Sequence, residues 1–393
     1  MMNNYFAPCP RGLEALLADD VTAHGGQHVK AVGGGVMFAG DWPVCYALNL
    51  HSRIATRVLL RVAAKGYTKE DDIYRLALET EWPRWFLPTQ TLRVDITAIK
   101  SPLKSLDFVT LRVKDGICDR FRRDCNDVRP SIDTRAPDVR VQAFLTEDSC
   151  TLYIDTSGDP LWQRGLRQKS VEAPLKENLA AGILRLTGWQ PGTPLFDPMC
   201  GSGTFLLEAA QISHDIAPGS RRSFAFERLK GFDAAAWRRM RESALAGEKP
   251  AAWAQLFGAD LSPQSVRAAT ANLDRAGLLD AVELIESDIL EVAAPADHGI
   301  LLCNPPYGVR LEEQESLAAF YPQLASALKK NFAGWTCYFL TADLRMPKLM
   351  RLTPSRKTPL YNGALECRLF EIKMVAGSNR KGAEAPLENT GND

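Results

Sequence analysis

The sequence predicts an α/β protein in which a doubly wound sheet is preceded by two small α+β units. Residues 170–376 alternate short apolar runs with helical patterns, which is the order of elements in a doubly wound sheet. Acidic or polar residues follow several of these runs, at the strand ends where such sheets bind ligands. The first 157 residues contain short alternating runs and isolated helical patterns, which are typical of small α+β units.

The composition is that of a globular protein. Hydrophobic residues make up 46% of the 393 residues and charged residues 24%, and the formal net charge is zero. Because the overall field is neutral, any affinity for nucleic acid must come from local basic patches. No apolar run is long enough to span a membrane, the N-terminus lacks a signal peptide, and the nine cysteines form no Cys-x-x-Cys pair. We therefore expect a cytoplasmic protein with neither a membrane nor a metal partner.

The two α+β regions are predicted over residues 1–55 and 56–157. The first contains a helical pattern that begins at Gly12, and the second ends at the polar turn 157–160. Their strands are expected at the apolar or alternating runs 5–7, 36–38, 92–96, 139–144 and 152–154.

The doubly wound region is predicted over residues 158–376, and the polar residues 377–393 are expected to form a disordered tail. Its entry helix has Pro174 near the first turn and Gly188 as the C-terminal cap. Ser262-Pro263 predicts the start of a later helix. Strands are expected at the runs 195–196, 256–259, 282–285, 300–303, 336–340 and 368–374.

A glycine-rich loop connects the first of these strands to a helical pattern. Its sequence is Asp197-Pro198-Met199-Cys200-Gly201-Ser202-Gly203-Thr204, and its glycines let a ligand approach the backbone near the free N–H groups of a helix start. The loop lacks the third glycine of a dinucleotide-binding loop and the Gly-Lys-Ser/Thr of a P-loop. Taken alone, it is either a ligand-binding loop or a tight structural turn.

Two further acids follow the next two strands. Asp260 comes directly after the run 256–259, where a carboxylate can accept hydrogen bonds from both ribose hydroxyls. Asp288 follows the run 282–285 and can accept a hydrogen bond from an adenine amino group. One such acid is more often a cap or turn residue, but a series at successive strand ends predicts a nucleoside-binding site.

The fourth strand end carries Asn304-Pro305-Pro306-Tyr307, whose prolines end the preceding strand. The Asn304 amide and the Pro305 carbonyl can accept both hydrogens of a planar exocyclic amine, while the Tyr307 ring stacks on the base. An amine held in this way is prepared to attack a methyl donor. The motif therefore predicts methylation of DNA, RNA or a protein amide.

The glycine loop followed by Asn-Pro-Pro-Tyr resembles the class I S-adenosylmethionine-dependent methyltransferases, which have a Rossmann-like doubly wound sheet and act on exocyclic amines. The chain to residue 376 is similar to the bacterial 23S ribosomal RNA guanine-N2 methyltransferases with a THUMP domain, as a stand-alone form of the L half of the fused enzymes. The supporting stretches are 111–115, 136–141, 157–159, 164–167, 173–177 and 361–367. The resemblance implies a ferredoxin-like domain, an RNA-binding THUMP domain and a methyltransferase domain, in this order.

The resemblance also implies the roles of site residues, with S-adenosylmethionine as the cofactor. Its methionine end is expected against Asp197, Cys200, Gly201, Gly203 and Thr204. The rest of the cofactor is expected against Asp260, Leu261, Asp288 and Ile289, and the target base against Asn304, Pro305, Pro306 and Tyr307.

Two features depart from the family pattern. Leu166 occupies a position that is usually aromatic in the family, which puts a stacking role for this position in doubt. The longer family members carry a second methyltransferase domain at the C-terminus, so only one of the two modifications is expected from this chain.

The second region contains a basic helix that is a candidate for contacts with RNA phosphates. The candidate residues are Lys114, Arg120, Arg122 and Arg123. The alternative is a solvated helix face on which these cations pair with Asp115, Asp119, Asp124 and Asp127. Two other basic segments, 221–239 and 345–357, are further candidates, and the aromatic residues of the first are expected to be local core.

The leading hypothesis is methylation of guanine N2 in 23S ribosomal RNA, either naked or in a large-subunit assembly intermediate. Guanine-N2 methylation of transfer RNA is the nearest alternative. Adenine-N6 methylation of DNA and glutamine methylation of a protein use the same motif but give the first 157 residues no purpose. A non-catalytic RNA-binding or ribosome-assembly module is the hypothesis from another class.

Overall fold

The computed structural model describes residues 2–164, 175–250, 252–305 and 311–375. The strands in this part of the chain form two sheets, of eight and seven strands. Outside the described residues lie Leu166, Pro174 and the predicted tail.

The N-terminal sheet contains both α+β regions. Its strands are β1 (Asn3–Pro8), β2 (Gln27–Val32), β3 (Gly35–Gly40), β4 (Leu59–Gly66), β5 (Thr91–Ala98), β6 (Ser131–Ile132), β7 (Val139–Leu145) and β8 (Ser149–Asp155). They lie in the order β2-β3-β1-β4-β8-β7-β5-β6. The helices of this half are α1 (Glu14–Ala23), α2 (Trp42–His51), α3 (Glu70–Glu79) and α4 (Leu106–Asp124), with a 3₁₀ turn at Trp82–Arg84.

Strand β4 joins the two regions into one continuous sheet. Leu60 pairs with Tyr5 of β1 on one side and with Ile154 of β8 on the other. The sequence prediction did not include this strand, because Arg61, Lys65 and a terminal glycine interrupt its apolar pattern. The domain boundary at residue 55 stays a prediction, because the strand that follows it pairs with strands of both α+β regions.

Helix α4 shows how local pattern determines packing in this half. Ser105 caps its N-terminus by accepting a hydrogen bond from the Phe108 N–H at 3.2 Å. Its buried stripe repeats every four residues, at Val109, Val113, Ile117 and Phe121. Gly116 lets α4 approach α3 closely, because a Cβ atom there would lie 2.7 Å from the Cβ of Ala77.

The second sheet confirms the predicted doubly wound architecture. Its strands are β9 (Leu195–Asp197), β10 (Leu256–Asp260), β11 (Val282–Glu286), β12 (Gly299–Cys303), β13 (Trp335–Thr341), β14 (Arg356–Asn362) and β15 (Leu365–Lys373). They lie in the order β11-β10-β9-β12-β13-β15-β14. The first five strands of this order are parallel, and β15 is antiparallel to both of its neighbours. The order reverses between β9 and β12, which is where ligands bind in such sheets.

Two of the helices of this domain end or begin at residues that the sequence predicts. They are α5 (Glu177–Thr187), α6 (Thr204–Ser213), α7 (Ala234–Ala246), α8 (Pro263–Arg275), α9 (Leu311–Asn331) and α10 (Met346–Met350), with 3₁₀ turns at Ala225–Arg228 and Leu279–Ala281. Gly188 caps α5 in the left-handed conformation (φ 75°), as predicted. Ser262 caps α8 with Pro263 at its first position, also as predicted.

Strand β14 was not predicted from the sequence. Its segment contains Pro359 and two adjacent cations, a composition that argues against a central strand. The structure resolves this conflict because β14 is the edge strand of the sheet. A proline is tolerated there, since only one side of the strand pairs with a neighbour.

The two halves of the molecule share a buried interface. Glu208 of α6 lies 3.1 Å from Arg53 and 2.6 Å from Arg164, measured between nitrogen and carboxylate oxygen. Tyr46 of α2 packs against Phe226, with ring centroids 4.7 Å apart. Phe224, Phe226 and Trp237 are buried, which confirms for these three the prediction that the aromatic residues of segment 221–239 are core.

Across the described ranges, no helix combines the length and apolarity that a membrane crossing requires. Within the same part of the chain, no cluster of three or more His, Cys, Asp and Glu side chains has the arrangement of metal ligands.

Candidate functional site

Four of the predicted site residues lie at neighbouring strand ends. Asp197 is the last residue of β9 and Asp260 the last of β10. Asp288 lies two residues beyond β11, and Asn304 directly follows β12. Because β11, β10, β9 and β12 are adjacent and parallel, these side chains belong to one edge of the sheet. The structure thus brings together residues that are up to 107 positions apart in the sequence (304 minus 197).

Asp197 is a buried carboxylate with little compensation. It is 2% exposed, and its Oδ1 accepts a hydrogen bond from the Met199 N–H at 3.3 Å. Among the described residues, no Lys or Arg forms an ion pair with it. Burial, with a smaller contribution from Asp260, raises the pKa of this carboxyl well above its usual range. Such a group favours either a proton or a bound cation.

The glycine loop after Asp197 is held by its backbone against β10. Cys200 donates its N–H to the Ala259 carbonyl, and Gly201 donates its N–H to Asp260 Oδ2, both at 2.9 Å. Gly201 has a left-handed φ of 54°, and no atom lies within 4 Å of the position that a Cβ there would occupy. A ligand can therefore approach this part of the backbone.

The loop ends at the start of α6. Gly203, with φ 77°, is the N-cap of this helix, and Thr204 is its first residue. A Cβ at Gly203 would lie 3.1 Å from the Cβ of Ala269, so the glycine also allows α8 to pack close to the loop. The N-cap provides no side-chain acceptor for the first turn of α6. This helix start is a suitable binding position for a carboxylate or another anion.

Asn272 is a supporting residue that the sequence prediction missed. Its Nδ2 donates to the carbonyl of Ser202 at 3.0 Å and so fixes the glycine loop to α8. The sequence feature that could have revealed this residue is its position three residues after Ala269, in the buried stripe of that helix. A buried amide in an apolar stripe usually has a specific hydrogen-bond partner.

Asp260 is oriented by two backbone hydrogen bonds. Its Oδ2 accepts from Gly201, and its Oδ1 accepts from the Ser262 N–H at 2.9 Å. Each oxygen retains a lone pair, which fits the predicted contact with two hydroxyl groups. The neighbouring Leu261 is 70% exposed and offers an apolar surface beside this carboxylate.

Asp288 begins a tight turn after β11. Its Oδ1 accepts a hydrogen bond from the Leu290 N–H at 2.9 Å. The side chain of Ile289 is 3% exposed and packs in the core with Phe196 and Ala259. The core contacts of Ile289 therefore fix the position of the Asp288 carboxylate at the edge of the sheet.

The structure describes the first two residues of Asn304-Pro305-Pro306-Tyr307. Asn304 is half-buried and Pro305 is buried, directly after the fully buried Cys303. Pro306 and Tyr307 lie outside the described residues. The burial of β12 and of Pro305 gives the Asn304 backbone a fixed position beside β9.

The basic face of α4 is paired with aspartates. Lys114 lies 2.8 Å from Asp115, Arg122 lies 3.2 Å from Asp119, and Arg123 lies 3.1 Å from Asp124. Arg120 also forms an ion pair with Asp124, and its Nη1 donates to the Glu79 carbonyl at 2.8 Å. These contacts are those of the solvated, ion-paired face that the sequence offered as the alternative. A role in RNA binding for these four cations stays a prediction.

Three segments of the chain match known domain families. Residues 164–371 match the family described as "RMKL-like, methyltransferase domain". The chain belongs to this methyltransferase family. Residues 67–155 match the THUMP domain, and residues 4–59 match the RlmL ferredoxin-like domain. The predicted domain types and their order are confirmed, and β4 bridges the gap between the two N-terminal matches.

Two curated relatives illustrate the RMKL-like family. A Synechocystis sp. protein named as an RNA methyltransferase is 37% identical over 94% of this chain and 96% of its own length. The ribosomal RNA large subunit methyltransferase K/L of Shewanella baltica (strain OS155) is 37% identical over 97% of this chain. The chain spans about half of that relative, 54% of its length.

Two solved structures share the whole architecture. A methyltransferase crystallised with SAH has a TM-score of 0.86 at 28% identity, covering 95% of this chain and 98% of the other. A protein of Listeria monocytogenes (str. 4b F2365), named as a predicted N6-adenine-specific DNA methylase, has a TM-score of 0.85 at 28% identity, covering 95% and 96%. SAH is S-adenosylmethionine after loss of its methyl group, in agreement with the predicted cofactor.

Proposed function

We propose that this chain transfers a methyl group from S-adenosylmethionine to the exocyclic N2 of a guanine in 23S ribosomal RNA. The observation that carries the proposal is the row of Asp197, Asp260, Asp288 and Asn304 along four neighbouring strand ends. This row lies in a chain whose N-terminal half matches a THUMP domain. A ribosomal substrate implies that the protein acts in the cytoplasm.

The residues of the acid series fit the cofactor. S-adenosylmethionine supplies a methyl group on a positively charged sulfur and carries an ammonium, a ribose and an adenine. The buried Asp197 carboxylate lacks a cation among the described residues and would be stabilised by those positive charges. The start of α6 would hold the carboxylate, and Asp260 the ribose hydroxyls. Asp288 would accept from the adenine amino group.

Asn304 and Pro305 would hold the target amine. The guanine N2 nitrogen is a poor nucleophile because its lone pair is delocalised into the ring. Acceptance of its two hydrogens by the Asn304 amide oxygen and the Pro305 carbonyl would favour a pyramidal nitrogen and stabilise its developing positive charge. The rate gain comes from alignment of amine, methyl group and sulfur. The proton can leave to water after transfer, so no catalytic base is required.

RNA is favoured as the acceptor by the N-terminal half of the chain. An enzyme that acts on DNA or on a protein amide has no need for a THUMP domain, which occupies residues 67–155 here. The names of the Synechocystis and Shewanella relatives agree with an RNA acceptor, and the latter with the large ribosomal subunit. The guanine N2 atom itself follows from the resemblance noted in the sequence.

The decisive experiment is methyl transfer from labelled S-adenosylmethionine to unmodified 23S ribosomal RNA, transfer RNA and DNA, followed by nucleoside analysis. We expect labelled N2-methylguanosine in the 23S RNA. Labelled N6-methyladenine in DNA would instead support the second candidate, which the name of the Listeria relative favours. Labelled N2-methylguanosine found in transfer RNA alone would show that the acceptor is transfer RNA, while the proposed chemistry would stand.

The Asn304→Ala variant tests the mechanism. We expect a loss of about 10²–10³-fold or more in kcat, the usual effect of removing one group that stabilises transition-state charge. Affinity for S-adenosylmethionine should be retained, as measured by calorimetry. The matched control is Asn4→Ala, at an exposed position of β1, which should have wild-type activity. Full activity of Asn304→Ala would exclude the proposed role.

A further inference from the structure

A cavity of about 470 Å³ lies at the same edge of the sheet as the strand-end residues. Its walls come from the segment after β1, the first turn of α5 and the turn between β14 and β15. Since Thr341 of β13 pairs with Arg368 of antiparallel β15, the β14–β15 turn projects from the carboxyl edge of the parallel strands. The turn is two to three strand spacings from β12, or roughly 10–14 Å.

The cavity is lined by two cations and an aromatic ring. The Arg11 guanidinium lies over the Tyr361 ring, 5.7 Å from its centroid. Lys176 Nζ lies over the ring of Trp162, at 5.2 Å. Neither cation has an acidic partner within the described part of the chain. The nearby Glu14 carboxylate is already occupied, because it accepts the N–H groups of Gly12 and Gly34.

Close packing of Gly12 fixes the position of the backbone beside Arg11. Gly12, with φ 93°, follows Arg11 and lies so near β14 that a Cβ there would be 2.5 Å from the Pro359 carbonyl oxygen. Any other residue at this position would push the segment away from β14. The backbones of the two segments therefore lie close enough to keep Arg11 beside Tyr361.

Two further features belong to the wall formed by α5. Lys176 is the N-cap of this 11-residue helix and provides no side-chain acceptor, so the first-turn N–H groups add positive potential beside Lys176. Asn178 is 1% exposed, and its Nδ2 donates to the Ile54 carbonyl and to Thr56 Oγ1, both at 3.2 Å. Its Oδ1 has no hydrogen-bond partner among the residues described. A buried acceptor of this kind usually has a partner.

We propose that this cavity binds one nucleotide of single-stranded RNA beside the methylated base. The phosphate would lie against Arg11 and Lys176, and the base would stack on Tyr361, which is the pairing of cations and rings that single-stranded sites use. The volume of the cavity lies in the range of pockets that hold a small ligand, roughly 300–1,000 Å³. The inference rests on the proposed function, because an RNA held at Asn304 passes along this edge of the sheet.

Binding of a short single-stranded oligoribonucleotide, followed by fluorescence anisotropy, tests the cavity. We expect Tyr361→Leu to weaken binding by about 5- to 100-fold, as loss of one stacked base does, and Tyr361→Phe to restore it. Arg11→Gln and Lys176→Gln should each lower the slope of log K against log salt by about one. In methyl transfer the KM for RNA should rise while kcat is retained.

The controls separate this proposal from the proposed function. Arg275→Gln, at an exposed arginine in the last turn of α8, should leave affinity and salt slope unchanged. Wild-type affinity in Tyr361→Leu, Arg11→Gln and Lys176→Gln would overturn the cavity proposal, even if the wild-type protein methylates RNA. Weakened binding by the variants, without methyl transfer to any RNA, would uphold the cavity and overturn the proposed function. Displacement of the oligoribonucleotide by millimolar mononucleotide at this cavity would overturn the assignment to a chain of RNA.

Discussion

Two buried carboxylates of the methyltransferase domain have opposite surroundings. Glu208 of α6 is 0% exposed and lies between two arginines, Arg53 at 3.1 Å and Arg164 at 2.6 Å. Asp197 at the end of β9 is 2% exposed and has only a backbone N–H at 3.3 Å. Desolvation disfavours both charges, but only Glu208 has its compensation within the described protein.

The difference distinguishes a charge that holds the structure together from a charge for which we propose a role in binding. A compensated carboxylate such as Glu208 fixes the relative position of two halves of the molecule. In the proposed function, an uncompensated one such as Asp197 would be unfavourable until the cationic cofactor binds, so part of the protein's stability would be exchanged for binding. The location of each group agrees with this division, since Glu208 faces the N-terminal half and Asp197 faces the ligand edge.

Removal of the compensated charge should have the largest effect on stability. Glu208→Ala leaves Arg53 and Arg164 buried beside one another, and burial already lowers the pKa of Arg53 to about 10. We expect the free energy of unfolding to fall by about 3–5 kcal/mol, the usual cost of breaking a buried ion pair on one side. Urea denaturation measures this change. Cofactor affinity, determined well below the unfolding transition, should stay close to that of the wild type.

Removal of the uncompensated charge should give the reverse result. Asp197→Asn keeps the shape of the side chain and removes a charge that burial disfavours, so stability should be unchanged or higher. The dissociation constant for S-adenosylmethionine should rise by about 100-fold, or about 2.7 kcal/mol, as expected for loss of a charged contact. Calorimetry and urea denaturation on the same preparation test both statements. A large loss of stability together with normal cofactor affinity would reverse the roles assigned to the two carboxylates.

The wild type and the Asp197→Asn variant should differ in the pH dependence of their stability, with a definite sign. The pKa of Asp197 is raised in the folded protein, so between the ordinary value of 3.8 and the raised pKa the folded state binds more protons than the unfolded state. Stability from this group therefore falls as pH rises through that window, by at most about 1.4 kcal/mol per pH unit. Cofactor affinity should rise over the same window, as the carboxylate ionises. Both trends should be absent from Asp197→Asn.

Asp343 is the matched control for that titration. Its hydrogen bond from Arg345 lowers the pKa of the Asp343 carboxyl. Its stabilising contribution is therefore present above the ordinary pKa and lost as pH falls, which is opposite in sign to the contribution of Asp197. If Asp343→Asn and Asp197→Asn changed the pH profile in the same direction, the account of Asp197 would be wrong.

The contrast between these carboxylates also explains what could be predicted from the sequence. Asp197, Asp260 and Asn304 follow apolar runs directly, so local pattern was sufficient to assign them to one edge of a parallel sheet. Glu208 lies inside a helical pattern and is separated from Arg53 by 155 residues. Nothing in the local sequence indicates that long-range pairing. Only the three-dimensional structure shows which cations Glu208 contacts.

Two of the strands that the sequence prediction missed, β4 and β14, have the same explanation. β14 carries a proline and β4 carries two cations, and both exist because neighbouring strands pair with them. Tertiary context overrode local preference in each case. The basic face of α4 was ambiguous for a related reason, because the sequence contained both the cations and the aspartates that neutralise them.

Charge removal on that helix should have the smallest effect. Arg122 lies 3.2 Å from Asp119 and 3.8 Å from Asp127, so a phosphate would have to replace partners it already has. We expect Arg122→Gln to change stability and RNA affinity by less than about fivefold in the equilibrium constant, because an exposed ion pair contributes about 0–1 kcal/mol. Anisotropy with the same oligoribonucleotide, beside Arg11→Gln, makes the comparison direct. A larger loss of RNA affinity for Arg122→Gln than for Arg11→Gln would show that α4 exchanges its aspartates for phosphates, and that pairing within the protein is a poor guide to where this chain binds RNA.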